Sequence, residues 1–346
     1  MSALPPKADL LGKYEKGPVM TQSGHWAKSL IQDSQKEAKL VKEDNHRMGT
    51  RWVTDVLRFD VQIYSPGLEC TTIGIKPMRH LCPFLLCACL LLTACIPLVN
   101  FLTFHPDDSY ILPSEALPSG TEEVFFEAED GVRIQALHLH NPSSDIITIF
   151  FHGNAGNIYH RLDDYQRLRR LGASVFAVSY RGYAKSEGSP SEAGIYRDGK
   201  AAFDYVTKVM GSPPSRIFIF GRSIGSTVAT DLAQDKDIAG LILVSPLSSA
   251  RDQASVMGLG FAAPLAGNAF ENDKKIKRLK APLLVIHGTR DRIIPIGMGR
   301  KVFDAAISQK SFHEIEGAGH NNISNRFADS YWTTISDFLK HSSKNR

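Results

Sequence analysis

Three residues of this 346-residue chain have the types and the order needed for nucleophilic acyl chemistry: Ser223, Asp291 and His320. A serine hydroxyl is a weak nucleophile near neutral pH. It needs a base to take its proton and a third group to hold that base in the right tautomer. Ser223 lies in Gly221-Arg222-Ser223-Ile224-Gly225, directly after the apolar run Ile217 to Phe220. Asp291, in VIHGTRDRIIP, is the preferred acid, because it follows a second apolar run closely enough to sit in the loop at its end. Asp252, after the preceding run, is the rival acid. His320, in EIEGAGHNN, is the candidate base, in a glycine-flanked loop just before the last helical pattern. His287 and His313 fall in or beside predicted strands, where packing or exposure accounts for them better.

The elements around Ser223 explain why those residues stand there. An Ile/Phe run predicts a strand buried on both faces. Ile224, Val228, Leu232 and Ala233 then recur at helical spacing. The serine is therefore expected at a sharp strand-to-helix turn, where Gly221 and Gly225 leave room that a Cβ would fill. The plain alternative is a glycine-rich turn with an idle serine. An oxyanion hole needs two N–H donors aimed at the developing charge. Ile224 N–H, at the start of the helix, is one candidate. Asn154 N–H is the other, in the loop FFHGNAGN, where Gly153 lets the chain turn. No Gly-Lys-Ser/Thr follows that loop, so it does not read as a phosphate loop.

From about residue 121 the chain alternates strand and helix. Two predicted strands, 123–128 and 132–140, flank Asp130-Gly131, a hairpin signal. Strands are expected at 146–151, 174–180, 240–245, 282–288 and 311–315, with helices at 157–170, 191–209 and 326–340. The fold class is α/β, with a mostly parallel central sheet and helices on both faces. Residues 246–281 form either a small cap over the carboxyl edge of the sheet or an ordinary crossover helix with a loop.

Composition narrows the function classes. The net charge is +4 without a basic cluster suited to nucleic acid. All five cysteines lie between residues 70 and 95. The region after them thus has no thiol nucleophile and no cysteine-based metal site. The serine argues against dehalogenase or epoxide-hydrolase chemistry, which uses an aspartate at that place.

Residues 81–104 carry no charged side chain. Lys76, Arg79 and His80 precede them, and the next Lys or Arg is Arg133. This asymmetry places the following domain on the extracytoplasmic side of a membrane. Two arrangements fit. Residues 81–104 could be an uncleaved anchor. Alternatively, Leu92-Thr93-Ala94-Cys95 resembles a bacterial lipobox, with Met78 as the true start, a signal peptide behind it and lipid on Cys95. Residues 1–77 are a polar extension, either disordered or upstream of the true start. Residues 105–120, with three prolines, read as an extended linker.

The segments FFHGNAGN, SYRGYAKSEGSPSEAGIYRD, FGRSIGS, HGTRDRIIP and GAGHNN together resemble the BEM46/ABHD13-like branch of the α/β-hydrolases, over about 121–340. Ser179 and Ala184 depart from that pattern, standing where an acidic residue and a glycine are usual. The resemblance implies the α/β-hydrolase fold, a Ser223–His320–Asp291 triad, and oxyanion donors at Asn154 and Ile224. It also implies membrane tethering and hydrolysis of an ester, thioester or amide, with no metal or organic cofactor. The expected substrate is a small or lipid-like acyl compound, cleaved as an ester. A thioesterase acting on acyl-protein or acyl thioesters, and a non-catalytic binding module on a hydrolase scaffold, are the alternatives.

Overall fold

The chain divides into two units, Met1–Lys76 and Pro77–Arg346. The computed structural model describes residue 100 and residues 103–107 and 109–344, all in the second unit. The N-terminal extension, the apolar stretch up to residue 99 and Cys95 lie outside the described residues. Among the described residues, no helix is long and apolar enough to cross a membrane.

Eight strands form one sheet in the order β1-β2-β4-β3-β5-β6-β7-β8. They are β1 (Thr121–Glu127), β2 (Arg133–Leu139), β3 (Ile147–Phe151), β4 (Ser174–Val178), β5 (Ile217–Arg222), β6 (Gly240–Val244), β7 (Leu283–Gly288) and β8 (Lys310–Ile315). The hairpin partner β2 runs antiparallel to β1 and β4; all other neighbours are parallel. Successive side chains of a strand face opposite sides, and here both sides are apolar. Ile217 and Ile219 enter one core, whereas Phe218 and Phe220 enter the other.

Helices cover both faces. On one face lie α1 (Leu162–Arg170), through Tyr165 and Leu168, and α7 (Ala328–Lys344), through Tyr331, Trp332 and Ile335. On the other lie α2 (Glu192–Asp204), α3 (Gly225–Ala233) and α6 (Ile296–Ala305), through Ile195, Val228 and Val302. Sequence periodicity does not announce α6, whose first turns carry two glycines. One of them is required by packing, since a Cβ on Gly299 would sit 2.3 Å from His287 Nδ1. Residues 246–281 contain α4 (Ala250–Val256), a 3-10 segment at Gly260–Ala266 and α5 (Asn272–Lys275).

The chain is tied to the domain where the apolar segment ends and the expected extended linker, 105–120, begins: His105 N–H donates to Asn154 Oδ1. Phe104 is buried and meets Phe270 edge-on with ring centroids 6.2 Å apart. An apolar ring at the end of an apolar segment has gained a partner in the core, so residues 103–107 lie along the domain as a strap.

Candidate active site

The strand order builds the site. The chain leaves β3 for β4 on one side and returns with β5 on the other, so β3 and β5 pair directly, Phe151 opposite Gly221. Their carboxyl-end loops separate at this switch point, where open α/β sheets hold ligands. One loop carries Asn154 and the other Ser223. The loops after β7 and β8 supply Asp291 and His320.

Ser223 adopts φ 55°, the left-handed region that side chains other than glycine avoid. Its N–H donates to Val244 O at 2.9 Å, while its carbonyl already accepts Ser226 N–H at 2.9 Å. The residue thus ends the sheet and starts α3 at once. That turn needs Gly225, because a Cβ there would lie 2.2 Å from Phe151 O. Gly221 is just as confined, its missing Cβ facing Gly225 O at 2.5 Å.

His320 Nε2 lies 3.0 Å from Ser223 Oγ, and its Nδ1 lies 2.7 Å from Asp291 Oδ2. Asp291 Oδ1 accepts the N–H groups of Ile293 and Ile294 at 3.0 and 2.9 Å. Burial pushes the Asp291 carboxyl up. The neighbouring imidazoles of His287 and His320 and the Ile294 N–H outweigh it, so the group is held well below the usual carboxylate range. An ionised Asp291 places the proton of His320 on Nδ1 and leaves Nε2 free to accept from the serine.

Asp252, the rival acid, is engaged elsewhere. Its Oδ2 accepts from Ser248 Oγ and from Lys301 Nζ, the latter at 2.7 Å. His287 is more than packing. It is fully buried, and its Nε2–H donates to Ile294 O at 2.8 Å, with Asp291 Oδ2 3.6 Å away. It braces the loop that carries the acid. Its place on a strand hid this role.

Asn154 and Ile224 line one cavity of about 430 Å³ together with Ser223 and His320. The side chain of Asn154 is tied down: its Oδ1 accepts from Tyr183 Oη at 3.0 Å and from the N–H of His105 at 2.8 Å. Neither Tyr183 nor the strap carried a sequence signal for this. Beneath the loop, burial holds the His152 imidazole down to about 3, so it stays neutral and its Nδ1–H donates to Gly153 O at 2.7 Å. Ala184 adopts φ 47°, the left-handed region that favours glycine.

Leu247, Ala254, Met257, Leu259 and Phe270, from residues 246–281, line the same cavity. That segment thus forms one wall of the cavity. Arg222 carries a second duty that its place within the elbow did not disclose. Its Nη2 donates to His320 O at 3.1 Å and its Nη1 lies 3.7 Å from Asp164, so it ties the base loop to α1.

Fold and site together define an α/β-hydrolase, and the comparisons with known proteins agree. Residues 142–274 match the family model described as serine aminopeptidase, S33. The chain is 35% identical over 183 residues to the α/β hydrolase domain-containing protein aho-3 of Caenorhabditis elegans, covering 53% of this chain and 54% of that one. It is 34% identical over 206 residues to the α/β hydrolase domain-containing protein 17C of Mus musculus, covering 58% and 61%. Less than two thirds of these relatives' length is thus matched. Among solved structures, an esterase of Pyrococcus furiosus aligns with a TM-score of 0.57 at 20% identity, over 69% of this chain and 98% of that one. An α/β hydrolase of Vibrio vulnificus aligns with a TM-score of 0.56 at 24% identity, over 64% and 81%. The two structures speak for the fold. The chain has the α/β-hydrolase fold, and these matches support membership of that superfamily without specifying a branch.

Proposed function

We propose that this protein is a serine hydrolase that cleaves an acyl ester through an acyl-enzyme intermediate. The observation that carries the reading is the continuous chain Ser223 Oγ, His320, Asp291, at 3.0 and 2.7 Å. Ser223 Oγ attacks the acyl carbonyl as its proton passes to His320 Nε2. The N–H groups of Asn154 and Ile224 receive the oxyanion. His320 returns the proton to the leaving oxygen, and the C–O bond breaks. Water then gives its proton to His320 and attacks the acyl carbon, which releases the acid and restores Ser223. Asp291 stays ionised throughout and offsets the charge of the imidazolium.

A thioester would follow the same steps with sulfur leaving. The apolar cap wall favours an acyl chain in either case, so acyl thioesters, including acylated protein, are the second reading. A non-catalytic binding module has no need of a strained Ser223 aligned on a base.

The protein is tethered to a membrane through residues 81–104, or through lipid on Cys95, with the domain extracytoplasmic. Thr103 lines the cavity and Phe104 packs beside it, so the chain emerging from the apolar segment reaches the domain at the site. The cap also exposes Met257 and Phe261. Hydrolysis of p-nitrophenyl esters by the full chain tests the activity. Turnover that disappears in Ser223→Ala with the fold intact supports it, and turnover retained in that variant overturns it.

A further inference from the structure

The cavity has two unlike walls. On the cap side it is apolar apart from Gln253. On the side of the β3 and β8 loops it is polar, with Arg161, Arg222, His320 and Asn321, and among the described residues no carboxylate lines it. The two arginines are not equivalent. Arg222 is buried and faces Asp164, so that pair is neutral in sum. Arg161 has no carboxylate oxygen within 4 Å among the described residues. Its Nη2 donates to the carbonyl of Ala155 at 3.0 Å, which fixes the guanidinium against the cavity wall. Its Nε is buried and without a partner. Burial pushes the Asp164 carboxyl up, against the opposing pull of Arg222 and Arg161. A fixed cation without a carboxylate partner among the described residues, in a cavity shared with the reactive serine, is costly to keep unless something anionic meets it.

Resting on the serine-hydrolase reading, we propose that Arg161 is the anion subsite for the leaving group, so that preferred substrates are acyl esters whose leaving group carries a carboxylate or phosphate. The assignment to the leaving group follows from the walls. An acyl chain is excluded from the polar wall by desolvation of Arg161 and Asn321, and it belongs under the cap. The group on the other side of the scissile bond then faces Arg161. Planar N–H forks suit carboxylate and phosphate oxygens, and a charge-assisted pair within a sheltered site selects for them.

The test compares 4-butyryloxybenzoate and 4-butyryloxyphenyl phosphate with the neutral isostere 4-butyryloxybenzamide, using the full chain. The readout is the kcat/KM ratio of each anionic ester to the neutral one. Comparing this ratio between wild type and variant cancels intrinsic ester reactivity. It should fall about tenfold in Arg161→Gln and less in Arg161→Lys. The anion with the larger fall identifies the group preferred. Independently of any variant, 4-hydroxybenzoate should inhibit wild type more strongly than 4-hydroxybenzamide, and added salt should narrow the difference. Equal ratios in wild type and Arg161→Gln, or equal inhibition by the two phenols, would overturn the subsite. If Ser223 still turns over the neutral ester in that case, the hydrolase reading stands; absence of all ester turnover by the folded wild type would remove both.

Discussion

The backbone N–H of His105 donates to Asn154 Oδ1 at 2.8 Å, joining the strap that follows the apolar segment to the loop proposed to offer an oxyanion donor. Tyr183 Oη donates to the same oxygen at 3.0 Å. The Asn154 side chain is therefore a latch on its loop, and in the proposed mechanism it fixes the N–H that receives the oxyanion. Asn154→Ala keeps the backbone donor and loses the latch. It should lower kcat by about 10- to 100-fold, short of the loss expected when a donor is removed outright. Tyr183→Phe should cost less, because His105 still holds the loop. A kcat unchanged in Asn154→Ala would mean that the loop needs no latch.

Asp291 accepts from His320 Nδ1 and from two backbone N–H groups. Asn in its place can present its amide nitrogen to the ring and so favour the wrong imidazole tautomer. Asp291→Asn should reduce kcat by about 10³- to 10⁴-fold, with KM for a short ester little changed. Asp252→Asn should leave kcat within a few-fold, since that carboxylate serves Lys301 and Ser248. Steady-state kinetics on the two variants separates the acids.

Gly225 allows α3 to start against the end of β3. A Cβ there would meet Phe151 O at 2.2 Å and His152 O at 2.6 Å, both backbone atoms that cannot swing away. Gly225→Ala should destabilise the fold by at least about 1–3 kcal/mol, read as a lowered urea midpoint. Gly297→Ala, where nothing lies within 4 Å, should leave the midpoint unchanged or slightly raised.

Arg181 forms a forked pair with Asp130 at 2.7 and 3.0 Å and also binds Asp198 at 2.8 Å, tying the β1–β2 turn to α2. The hydrogen bonds from Arg181 hold the Asp130 carboxyl down to about 2, against an ordinary 3.8. A lowered folded-state value means the stabilisation is fully present above the ordinary value and is lost as pH falls through about 2. Asp130→Asn should therefore be less stable than wild type at pH 7, and the gap should close on acidification. Urea midpoints for both proteins at neutral and low pH check this; a gap independent of pH would contradict it.

The core strands, the elbow and the order of Ser223, Asp291 and His320 were legible because each rests on local pattern. Apolar runs mark β3, β5, β6 and β7, and glycines mark the turns that cannot hold a Cβ. What escaped depends on tertiary placement. Helix α6 begins with Gly297 and Gly299, which weaken its pattern, and is held by packing on His287. His287 looks like a strand residue until the loop of Asp291 folds over it. Phe104 reads as the end of the apolar segment, because Phe270, its partner in the core, is more than 160 residues away in sequence. Arg161 and Arg222 are ordinary surface types whose shared cavity appears only once β3 and β5 pair and their carboxyl-end loops part.

The most direct test of the central claim is labelling of the full chain with a fluorophosphonate probe, with Ser223→Ala and His320→Ala beside it. The account predicts one labelled site in wild type, mapped to Ser223, no labelling in Ser223→Ala, and strongly slowed labelling in His320→Ala. A folded wild-type protein that does not label, or that labels equally in Ser223→Ala, would contradict it.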